Sequence, residues 1–114
     1  MAGELGDRRR AASAGMPRIV FAPAAIRDIQ RLRDFLRPRN ADAARRAGEA
    51  IRQGVKALGA YPRMGRLVED LPEQYREWLI DFGDSGYVAR YHVDDDAVTI
   101  LTVRRQREAG YKQA

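Results

Sequence analysis

The chain has 114 residues, 45% hydrophobic and 32% charged, a composition that suits one folded domain with a modest core and excludes a disordered chain. It has no cysteine and a single histidine, His92, which excludes a disulfide framework, thiolate metal sites and multi-histidine centres. The net charge of +5 is carried almost wholly by arginine, and no apolar run has signal-peptide or membrane-spanning length, so the expected location is the cytoplasm, with no membrane contact.

Residues 1–15 are rich in Gly, Ala, Ser and Arg without periodicity and read as a flexible extension. A nucleic-acid-binding arm built on Arg8, Arg9 and Arg10 is the alternative. The folded domain is expected over residues 16–114. It opens on a short strand, Arg18-Ile19-Val20-Phe21. Pro23 suits the first turn of a helix, and Ala25, Ile29, Leu32 and Leu36 recur at helical spacing until Pro38 forbids continuation. Asn40 is a good N-cap for a second helix with Asp42 in its first turn. Its apolar stripe is Ala44, Ala47, Ile51, Val55 and Leu58, and Gly59 and Pro62 end it.

Beyond Pro62 the period changes to two. Trp78, Ile80 and Phe82 alternate with Glu77, Leu79 and Asp81, and Tyr87, Ala89, Tyr91 and Val93 alternate with Val88, Arg90 and His92. Ala97 to Val103 is a third β-rich run, and Gly83 to Gly86 and Asp94 to Asp96 have hairpin-turn compositions. The expected fold is therefore α+β: one N-terminal strand, an antiparallel two-helix hairpin, and a three-strand meander completing a mainly antiparallel four-stranded sheet. Both helices must cover one face of the sheet to bury their stripes, which leaves the other face partly bare.

Charge is segregated along this order. Met16 to Ala60 holds ten basic and four acidic residues, whereas Tyr61 to Ala114 holds eight and ten. Most of these arginines read as solvated helix surface, yet the basic half can also attract an acidic protein or nucleic acid. Asp94, Asp95 and Asp96 read as a turn rather than a cation site, since adjacent side chains diverge there, so no metal or cofactor is assigned. His92, without a motif-marked nucleophile, reads as a surface histidine rather than a general base. The closing Val103-Arg104-Arg105-Gln106-Arg107-Glu108-Ala109-Gly110-Tyr111 is the most informative segment. Its three arginines, carboxylate and tyrosine follow a buried strand, and such a cluster can grip phosphates and stack a base, or pair with an acidic partner.

Four segments carry a resemblance. They are Val20 to Ala25 at the strand-to-helix junction, Tyr61-Pro62-Arg63-Met64-Gly65-Arg66 after the second helix, Ser85-Gly86-Tyr87 with Tyr91, and the closing Val103 to Tyr111. In this order and spacing the chain resembles the RelE/ParE family of toxins of bacterial toxin–antitoxin systems from Arg18 to Tyr111. The resemblance implies growth arrest, plasmid stabilisation, neutralisation by an antitoxin segment that folds over the toxin in a hetero-oligomer, and one of two activities: ribosome-dependent cleavage of messenger RNA, or inhibition of DNA gyrase without nuclease chemistry.

Ribonuclease members place lysines on the strand equivalent to Tyr75–Phe82 and an arginine directly after the Gly-Tyr of the next strand. Here those places hold Arg76, Trp78 and Val88. A ribonuclease site would have to be assembled from Arg76, Arg90, Arg104, Arg107 and Tyr111, with Arg90 on the strand face of Val88. The gyrase-directed reading fits better with a helical hairpin that carries the positive charge and a sheet that does not. Arg45, Arg46, Arg52, Arg63, Arg66 and Arg105 are the candidates for contacts with antitoxin or target. A non-toxic basic nucleic-acid-binding module is the third class.

Overall fold

A computed structural model of the chain describes residues 17–107, so the extension expected over residues 1–15, and Tyr111, lie outside the described residues. The elements run β1 (Arg18–Phe21), α1 (Pro23–Leu36), α2 (Ala41–Ala60), β2 (Arg66–Leu67), β3 (Tyr75–Phe82), β4 (Ser85–Val93) and β5 (Ala97–Arg105). Pro23 sits in the first turn of α1, and the Asn40 carboxamide oxygen accepts the Ala43 N–H at 3.0 Å, the cap that its residue type leads one to expect. Both helical stripes are buried as the periodicity requires: Ala25, Ile29 and Leu32 from α1, and Ala44, Ala47, Ile51, Val55 and Leu58 from α2. Each fully buried aliphatic side chain such as Ile51 or Leu58 contributes about 1.5–3 kcal/mol of transfer free energy.

The sheet order is β1-β5-β4-β3-β2. β3, β4 and β5 form the antiparallel meander, and β1 joins β5 in parallel, with Ile19 opposite Val98 and Phe21 opposite Ile100. The sheet has five strands rather than four, because Arg66 and Leu67 pair with Glu77 and Arg76. Two residues carry no periodicity, so β2 has no pattern to read. α1 lies across β5 and α2 across β3 on one face of the sheet. Ile80, Tyr87, Ala89, Tyr91, Val98, Ile100 and Val103 meet the helices there.

Two local features organise the rest. The β3–β4 connection is a two-residue turn, Gly83-Asp84, between the paired Phe82 and Ser85. It sets Glu77 opposite Arg90 and Leu79 opposite Val88. The register shifts between Arg90 and Tyr91, where β5 has one extra residue, a bulge that re-aims the backbone of β5 beyond Ile100. β1 ends at Phe21, so the later part of β5 has no strand on the side away from β4, and the Asp28 carboxylate of α1 accepts the Val103 N–H at 2.9 Å there.

Candidate partner-binding and target-binding surfaces

The two central tyrosine and glycine motifs explain one another. Tyr91 is fully buried; its hydroxyl donates to the Pro62 carbonyl at 2.7 Å and accepts the Gly65 N–H at 2.9 Å. Burial pushes that hydroxyl above its usual pKa, opposed in part by the Gly65 N–H. A Cβ on residue 65 would lie 2.5 Å from the Tyr91 oxygen and 2.7 Å from the Glu77 carbonyl, so only glycine lets this turn close on the sheet. At Gly86 the backbone has φ +146, and a Cβ there would lie 2.2 Å from the Ile80 carbonyl. The Tyr61–Arg66 segment is thus a structural device that holds a loop against strand β4, and Gly86 lets the start of β4 close on β3.

Arg76 serves the same loop. Its guanidinium donates to the carbonyls of Arg63 (2.8 Å), Gly65 (3.0 Å) and Glu73 (3.1 Å). It stands opposite Tyr91, whereas Arg90 projects from the opposite sheet face, so these two members of the ribonuclease set do not converge. On that uncovered face Arg90 donates through Nε (3.2 Å) and Nη2 (2.8 Å) to one Glu77 oxygen. Val88 lies beside it, only 4% exposed, with Leu79 and Arg104 as its partners on the neighbouring strands. His92 meets Tyr75 edge-on, ring centres 4.8 Å apart. The centre of the face is thus apolar, flanked by one neutralised arginine and the exposed Arg104.

Arg105 and Arg107 leave this face. Together with Leu32, Phe35 and Tyr87 they line a cavity of about 300 Å³ beneath the end of α1. The Arg105 guanidinium stacks on the Phe35 ring at 4.7 Å from its centre, and Arg39 on the same ring at 4.4 Å. The bulged register that sends β5 in this direction, and the Phe35 stack it allows, have no signal in the linear pattern. The Glu77–Arg90 pair does have one: reading Gly83-Asp84 as a two-residue turn places those residues opposite each other.

On the helical hairpin, Arg45 and Arg46 share Asp42, with the Arg46 contact at 2.8 Å, and Arg52 lies 3.6 Å from Glu49. Hydrogen bonds from Arg46 and then Arg45 hold the Asp42 carboxyl below its ordinary pKa. All three arginines are exposed pairs within one helix, and such pairs can be traded for intermolecular ones at little cost. Arg63 and Arg66 lie on the exposed loop and edge strand after α2, and Arg63 lines a groove of about 640 Å³ with Tyr61, Met64 and Asp95. The six arginines therefore occupy three regions: Arg45, Arg46 and Arg52 on α2, Arg63 and Arg66 past its end, and Arg105 beneath α1. In the β4–β5 turn the Asp94 carboxylate accepts the N–H groups of Asp96 and Ala97, each at 2.9 Å, which lowers its pKa and spends that side chain on the turn.

Comparison with known proteins shows what this chain is similar to. The family model for the ParE toxin of the type II toxin–antitoxin system parDE matches residues 19–110. A protein named Toxin RelE3 from Caulobacter vibrioides is 34% identical over 93 residues, spanning 82% of this chain and 98% of the relative. A solved structure titled as the chromosomal ParDE TA system from P. aeruginosa superimposes with a TM-score of 0.66 at 18% identity, covering 80% of this chain and 97% of that one. At that identity it shows likeness of fold alone.

Proposed function

The chain belongs to the ParE toxin family of type II toxin–antitoxin systems, and from that premise we propose that it arrests growth in the cytoplasm by inhibiting DNA gyrase rather than by cutting messenger RNA. As a toxin of such a system it has a cognate antitoxin.

The observation that carries the choice of target is the uncovered sheet face. Cleavage by an attacking 2′-hydroxyl develops negative charge on phosphorus and needs converging cations, each worth about 2–4 kcal/mol of transition-state stabilisation. Arg90 is already bound twice to Glu77, Arg76 projects from the other face, and Leu79 and Val88 fill the centre. A phosphate placed there meets a neutralised pair, an apolar strip and, among the described residues, the exposed Arg104 on the far side of Val88, rather than a converging set of cations. Binding to a protein target has no such requirement.

Purified toxin should inhibit gyrase supercoiling or trap cleaved DNA, and leave ribosome-bound messenger RNA intact. Because Val88 is buried, inserting an arginine there would disturb packing, so Arg90→Ala and Tyr111→Phe are the cleaner substitutions. Both should keep gyrase inhibition close to wild type, with folding checked by circular dichroism. Codon-phased cuts by the wild type, abolished by either substitution, would replace this reading with the ribonuclease.

A further inference from the structure

The sheet has two edges, and they are finished differently. Beyond the end of β1 the β5 edge is closed by Asp28, which takes the Val103 N–H. Among the described residues, the β3 edge is covered by β2 only at Arg76 and Glu77. The Val93 N–H donates to the Gln74 carbonyl at 2.9 Å, which makes Gln74–Val93 a hydrogen-bonded pair of the antiparallel ladder. By alternation Arg76, Trp78, Ile80 and Phe82 then turn their N–H and C=O groups toward β4, and Leu79 and Asp81 turn theirs outward, past the end of β2. Such an edge is a template for another strand, and from Trp78 to Asp81 it has no lysine, proline or bulge, only the charge of Asp81, to guard it.

The surroundings select what can pair there. Leu79 is 42% exposed, and Leu67 and Leu71 are exposed nearby in sequence. From Leu67 to Asp84 the chain holds six acidic residues and one basic residue, Arg76. Asp81 and Asp84 are exposed at the uncovered end of the strand. A second copy is a poor occupant. Symmetric antiparallel pairing through the outward groups must set Leu79 against Leu79, with Glu77 against Asp81; or Leu79 against Asp81; or Asp81 against Asp81. Each register opposes like charges or faces leucine with a carboxylate.

We infer that the Leu79–Asp81 edge of β3 is a docking site for an extended segment of a partner protein in which lysine or arginine stands two residues from an aliphatic residue, so that both meet the face that Leu79 and Asp81 share. The backbone groups supply the ladder, Leu79 takes an aliphatic neighbour, and Asp81 takes a cation. This surface lies on the sheet edge, apart from the arginines of α2.

The probe is a blocked heptapeptide, Lys-Thr-Val-Thr-Lys-Thr-Val, which places lysine and valine in turn on one strand face, titrated into the full chain with hydrogen exchange followed residue by residue. Binding should slow exchange at the Leu79 and Asp81 amides and leave that of Ile80, already paired with β4, unchanged. The same peptide N-methylated at every residue keeps its charge but cannot donate, and should lose binding. Asp81→Lys should weaken the lysine–valine peptide by about tenfold, whereas Asp34→Lys, the same change of charge at an exposed position on α1, should not. Equal affinity for the N-methylated peptide would overturn the inference by reducing binding to charge. So would protection elsewhere, or concentration-dependent protection of Leu79 and Asp81 without peptide together with a dimer in sedimentation. Should Asp81→Lys fail to fold, the N-methyl comparison on the unaltered chain still decides.

Discussion

Tyr91 shows how much one side chain carries here. Its hydroxyl joins strand β4 to the turn after α2 through two hydrogen bonds, and its ring fills the core. Tyr91→Phe keeps the ring and strands the Gly65 N–H, so we expect a loss of about 2 kcal/mol and a fall in Tm of roughly 10 °C for a domain of this size. Burial also raises the Tyr91 and Tyr87 hydroxyls above 10.0. Above pH 10 the unfolded chain releases those protons while the folded chain keeps them, so the folded state is penalised progressively as pH rises. Thermal melts should show the contribution of these two hydroxyls in full from neutral pH up to about pH 10 and a decline above it, and the decline should be shallower in Tyr91→Phe. Unchanged stability at neutral pH would mean that the turn is held without the hydroxyl.

At the scale of the element, α2 is the informative case. Its buried stripe is fully specified by spacing, and its outer surface holds Arg45, Arg46 and Arg52 in exchangeable pairs with Asp42 and Glu49. An acidic antitoxin segment lying along the hairpin would take over those guanidinium groups. Reversing Arg45 and Arg46 to glutamate should then weaken antitoxin binding by about tenfold or more and flatten its salt dependence, because both removed charges act in the early encounter. Titration calorimetry at two salt concentrations measures both. Unchanged affinity and slope would move the antitoxin to another surface.

For the whole molecule, membership of the family joins fold and outcome. Induction of residues 16–114 alone should stop growth, and co-expression of the adjacent small gene should restore it, as read by plating and optical density. Normal growth at verified soluble expression would remove the toxin reading for this chain. Removing residues 1–15 should change neither result, since the family match begins at residue 19. Among the described residues no helix is long and apolar enough to cross a membrane.

The amino-acid sequence alone determined the helices, their buried stripes, the Asn40 cap, the meander and the α+β layering, because each rests on a period or a turn residue that is local in the chain. The order of the family motifs was equally legible. Tertiary structure decided what those motifs do. Gly65 and Tyr91 are 26 residues apart, and their bond exists only once the loop has folded onto β4. The roles of the arginines were likewise settled in space: Arg76 became a loop staple, Arg90 the partner of Glu77, and Arg105 the cover of Phe35. A charge has no period of its own, so its work depends on which strand register and which bulge bring a partner within reach, and those belong to the assembled sheet.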